Sequence, residues 1–161
     1  MFAKRMPAVV AMSAAALAVC ALAAPVQTTT VLRRGVGHGN WDLPLAQNGQ
    51  GSADGIFFIP NVPNSQLHFV ATLTDVPSAC LSCIEGTLDG TLDDGIGPGP
   101  DYVVRGHYLG SFFGGNGQWT ATIFPAGAPQ TTPVGRIRGM FDDPPSNAGP
   151  GSFACRWMIN D

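Results

Sequence analysis

Beyond Lys4 the chain contains no lysine, and only 12% of its 161 residues are charged. Removing the first 23 residues leaves six Arg against eleven Asp and Glu, a formal charge of −5 (6 − 11). Only Arg33 and Arg34 are adjacent among those cations. Phosphate affinity needs several positive charges on one face, so nucleic acid is disfavoured as a partner. No helical hydrophobic period of useful length follows the N-terminus, which removes helix bundles and α/β folds from consideration. No GxSxG elbow and no HExxH pair occur. The glycine-rich "GVGHGNW" at 35–41 lacks the Lys-Ser/Thr of a phosphate-binding loop. No second C-x-x-C stands opposite "CLSC" at 80–83, so a zinc tetrahedron is incomplete. With no nucleophile–base or paired-carboxylate motif, catalysis is disfavoured and no cofactor is implied.

What is present begins with a leader. Lys4 and Arg5 precede an almost wholly apolar run over 7–22, and Ala21-Leu22-Ala23 supplies small residues where a signal peptidase reads. The run is short and polar sequence follows at once, so it reads as a cleaved signal helix over 1–23 and not as a membrane anchor. "LAVC" at 17–20 resembles a lipoprotein box, but Val19 stands where a small residue is usual. Lipidation at Cys20 is not expected. The mature chain is then secreted or periplasmic, 138 residues long (161 − 23), and amounts to one domain.

Residues 24–62 form an extended segment with one or two short strands. "TTTVL" at 28–32 is one candidate, "RRGVGHGNW" reads as loop and "QNGQGSADG" at 47–55 as turn chemistry. "IFFI" at 56–59, closed by Pro60, reads as a strand at an edge or end. Over 63–161 the period becomes two. Leu67, Phe69, Ala71 and Leu73 share a face, and so do Gly86, Leu88, Gly90 and Leu92. Four further segments, beginning near 106, 117, 135 and 151, repeat the rule of large and small residues in alternation. Their other faces carry Thr87, Asp89, Gln118, Thr120, Arg136 and Arg138, an apolar-in, polar-out pattern. The expected fold is an all-β antiparallel meander of about six to eight strands: an up-and-down barrel in the first place, a β-sandwich in the second. Charged and polar residues on alternate positions exclude a lipid-facing barrel, and no integral membrane protein is expected after cleavage.

The mid-strand glycines Gly90, Gly110 and Gly139 each cost about 0.5–1 kcal/mol against Ala. Room for a neighbour's large side chain is the expected compensation. If that room is left open, a small apolar ligand could lie against Tyr108, Phe112, Trp119, Phe141 and Trp157. Cys80 and Cys83 are expected to form a structural disulfide in an oxidising compartment, with a bond to Cys155 as the alternative pairing. His68 and His107 fall on polar faces, and His38 in a loop. Asp93, Asp94, Asp142 and Asp143, with Asp89 and Asp101, are weak candidates for a calcium site, conditional on the two Asp-Asp loops sharing one end of the barrel.

Overall fold

The computed structural model describes residues 31–42, 49–77, 80, 82–111, 114–142 and 150–160. The leader with Cys20, and also Phe112 and Asp143, lie outside them. Eight strands follow in order: β1 (Leu32–Asp42), β2 (Gln50–Phe58), β3 (Leu67–Asp75), β4 (Cys83–Asp93), β5 (Tyr102–Ser111), β6 (Asn116–Pro125), β7 (Gly135–Asp142) and β8 (Gly151–Asn160). Each pairs antiparallel with the next, and β1 pairs with β8, so the sheet closes into an up-and-down barrel. The sandwich alternative is excluded by that closure.

Two expectations for the N-terminal segment are corrected. Residues 33–41 are not a loop but the body of β1, and Gln50–Gly55 is not a turn but the first half of β2. "IFFI" contributes the end of β2, which is paired on both sides, so it is no edge. The inward face of β1 is Gly35, Gly37 and Gly39 before Trp41, with nothing apolar in the glycine positions to mark a strand. Those glycines are forced by their neighbours. A Cβ at Gly35 would come within 2.8 Å of the Trp157 ring, and one at Gly39 within 2.7 Å of the Phe153 ring.

Pairing followed once round the wall runs from Trp41 through Ala53, Ala71, Gly90, Val104, Ile123, Gly135 and Ile159 to Arg33. The stagger is therefore eight residues (41 − 33). Eight strands with a stagger of eight tilt about 36° to the axis. An eight-stranded barrel is just wide enough for side chains to fill. The inward residues do fill it. Phe57, Leu92, Val104, Ile123 and Ile159 are wholly buried, and Phe69 and Ile137 nearly so.

The expected role of the internal glycines holds at two of three positions. A Cβ at Gly110 would meet Phe141 Cζ at 2.6 Å, and at Gly139 it would run into the Trp119 indole. Gly90 is different: its nearest neighbours are the Val70 carbonyl and Ala71 Cβ, at 2.5 and 2.6 Å. There the constraint is close approach of a neighbouring strand, not a ring.

Candidate functional site

Inside the barrel, large side chains face small ones across the ladder. Tyr108 lies beside Gly86, Trp119 beside Gly139, Phe141 beside Gly117 and Trp157 beside Gly35. Aromatic rings interlock around Phe69 and Phe153. Phe69 stacks on Trp119 with centroids 5.9 Å apart, and Phe153 meets Trp119 edge-on at 5.5 Å. Among the described residues these rings border a cavity of about 30 Å³, lined by Trp41, Tyr108, Trp119, Phe141 and Phe153 among others. Three of the expected ligand residues, Tyr108, Trp119 and Phe141, thus meet at one cavity. Trp157 sits apart from it, its indole N–H donating to the Val36 carbonyl at 3.1 Å. Phe112 falls outside the described residues.

Two polar tips are carried into this apolar interior. Tyr108 Oη and Trp119 Nε1 are buried without a hydrogen-bond partner among the described residues. Burial, reinforced by the Asp75 carboxylate, pushes the Tyr108 hydroxyl pKa up. Burial also raises that of Asp75, against a lowering hydrogen bond from the Val76 backbone. These two groups face different neighbours: the Tyr108 hydroxyl lies over Gly86, the Trp119 nitrogen over Gly139. They do not converge on a common reacting atom.

Cys80 and Cys83 are joined as a disulfide, and Cys155 remains a free buried thiol. The alternative bond to Cys155 is excluded by that pairing. Burial pushes the Cys155 thiol up to about 12, with a hydrogen bond at the Gly37 backbone working the other way. It is a small inert core residue.

Asp93, Asp94 and Asp101 bring carboxylate oxygens within 4.8 Å of one another. Their hydrogen bonds serve the loop itself: the Asp94 amide donates to Asp101, the Gly95 amide to Asp93, and the Ile96 amide to Asp94. Asp142 ends β7, whereas Asp93 ends β4. In an up-and-down barrel those strand ends lie at opposite rims, so Asp142 does not join the Asp93 cluster, and Asp143 lies outside the described residues.

The outer wall holds what the sequence did not disclose. His38, expected in a loop, is on the outer face of β1, its ring 5.8 Å from that of Phe58. His68 and His107 are exposed on the outer wall as expected. Arg34 of β1, Arg156 of β8, and Arg136 and Arg138 of β7 also point outward. Arg138 stands directly opposite Arg156, and Met158 lies between Arg136 and Arg34 across three strands. The four arginines border one open groove of about 600 Å³ with Val36, Met158, Ile59 and Pro60, and with Gly35 and Trp157 at its base. In the sequence nothing basic clusters beyond the Arg33-Arg34 pair; the fold corrects that reading by gathering Arg34 with Arg136, Arg138 and Arg156. Arg34 and Arg156, 122 positions apart (156 − 34), come to lie diagonally on adjacent strands because β8 closes on β1. These outward charges also break any apolar band that a lipid-embedded barrel would present. Among the described residues, no helix is long and apolar enough to cross a membrane. In comparison with known proteins, the chain matches no family model, no curated protein and no solved structure.

Proposed function

We propose that this chain is a secreted or periplasmic, non-catalytic barrel with a structural or binding role, acting through its outer wall and loops. One observation carries the reading. The interior is occupied by the protein's own side chains, and its cavity of about 30 Å³ has room for a water molecule or two. Small-molecule sites typically offer about 300–1,000 Å³. Among the described residues, no carboxylate, histidine or arginine is fully buried, and the one carboxyl that burial shifts, Asp75, has no histidine or second carboxylate shown beside it. The leader-like residues 1–23 support export.

The second reading is a small apolar ligand held inside by Tyr108, Trp119, Phe141 and, with them, Phe112 and Trp157. The aromatic border of the cavity favours it. Binding inside would require Tyr108, Trp119 or Phe141 to swing out of a packed cluster. Titration with a neutral apolar fluorophore separates the two readings. We expect no saturable binding; one-to-one binding that quenches tryptophan emission would establish the interior as a ligand site. Cell fractionation with mass measurement tests export. The expected product is extracytoplasmic and begins at Ala24, and an intact cytosolic chain would overturn the location.

A further inference from the structure

We infer that the arginine groove on the outer wall of β1, β8 and β7 is a binding site for a phosphate-bearing amphiphile, a phosphate head on an apolar chain. Four of the six arginines beyond residue 23 stand there, in a chain whose formal net charge is −3. None of the four forms an ion pair with a described residue, whereas Arg105, on a different wall, is held by the Asp89 carboxylate at 3.3 Å. Arg136 Nε donates to Met158 Sδ at 3.0 Å, a weak acceptor, which leaves most of its fork unused. Like charges directly opposite on paired strands destabilise a sheet. Arg138 opposite Arg156 is such a pair. Fold stability does not account for that arrangement, whereas an anion bridging both guanidiniums would reverse its sign.

The geometry selects the chemical class. Neighbouring strands lie about 4.8 Å apart, so Arg138 and Arg156 can place two forks on one head group. A phosphate monoester carries close to two negative charges and three terminal oxygens, which suits two forks better than a single carboxylate does. Next to that pair the floor turns apolar: Val36 beside Arg156, then Met158 flanked by Arg34 and Arg136, then Ile59 and Pro60. An alkyl chain fits along this strip, passing over Met158 between the aliphatic stems of Arg34 and Arg136. Single-stranded nucleic acid fits less well. Its affinity relies on stacking against exposed aromatic rings, and Trp157, the aromatic residue bordering the groove, is 3% exposed.

This inference goes beyond the filled-interior reading and is tested apart from it. Calorimetric titrations of the purified protein would use decyl phosphate below its micelle concentration, inorganic phosphate, decanol and a single-stranded oligonucleotide. The expected result is saturable one-to-one binding of decyl phosphate. It should be at least tenfold tighter than inorganic phosphate and should weaken as salt is raised. Arg138→Gln with Arg156→Gln should weaken it at least tenfold without lowering the melting temperature, and Met158→Glu should do the same. Arg105→Gln should leave it unchanged. Equal affinity for inorganic phosphate, equal or better affinity for the oligonucleotide, no binding, or binding indifferent to the groove variants would each overturn the site. Decanol binding as tightly as decyl phosphate would do so as well, and would point to the interior instead.

Discussion

At the end of the barrel where β3, β5 and β7 begin, Leu92, Val104, Ile123, Ile137 and Ile159 are each no more than 1% exposed. At the other end stand Trp41, Tyr108, Trp119 and Phe141, which leave a small cavity between them. Branched aliphatic chains of modest length tile a narrow cylinder without gaps and carry no polar atoms. Aromatic rings are larger than the lateral spacing allows, so each takes the space above a glycine on the adjacent strand. Their polar tips come with them: Tyr108 Oη and Trp119 Nε1 are buried unpartnered. The first end is mainly aliphatic, with Phe57 and the part-buried Arg33–Tyr102 hydrogen bond beside those chains; the second carries aromatic rings whose polar tips enter the interior.

That contrast can be broken in order of effect. The largest loss is expected at the aliphatic end. Ile159→Ala removes a wholly buried side chain and should cost about 2–5 kcal/mol in urea unfolding, because a dense neighbourhood collapses poorly into the hole. Overpacking the aromatic end comes next. Gly110→Val drives a side chain into Phe141 and should cost about 1–3 kcal/mol. Adding Phe141→Leu should recover part of that loss, whereas Phe141→Leu by itself should destabilise. An unchanged midpoint for Gly110→Val would refute the steric account of the strand glycines.

A further effect is absent at neutral pH and appears only in alkali. The Cys155 thiol is raised from an ordinary value of 9.0 to about 12 in the folded chain. The unfolded chain therefore releases its proton first. Stability that is fully present below pH 9 should fall as pH rises towards 12, by up to about 1.4 kcal/mol per pH unit. Cys155→Ala should reduce that alkaline slope, leaving above pH 10 the part that belongs to the raised Tyr108 hydroxyl; an identical slope would show that the thiol contributes nothing. The smallest effect belongs to Tyr108→Phe. It deletes a buried hydroxyl that has no partner, so its change at neutral pH should stay within about 1 kcal/mol and favour folding. A loss above that range would reveal a partner for the hydroxyl.

The six strands from β3 to β8 were legible because each alternates a large or small inward residue with an outward polar one. The first two were not. With Gly35, Gly37 and Gly39 inward on β1, and Gly51, Ala53 and Gly55 on β2, hydrophobic periodicity has almost nothing to register. Glycine at every second position was the signal available, and it is the same small-residue rule seen later in the chain. The local disulfide partner was within reach of spacing alone. The arginine groove was not, because its members come from the first strand and the last two.

By itself, then, the sequence determined an antiparallel all-β chain with a small-and-large inner face and a polar outer one. Side-chain alternation is local, and two residues of lookahead are enough to see it. Only the tertiary structure decided closure, the stagger of eight, the occupied interior, and the meeting of Arg34 with Arg136, Arg138 and Arg156. Closure depends on register between strands more than a hundred residues apart (β1 with β8), and no short window of sequence contains both partners.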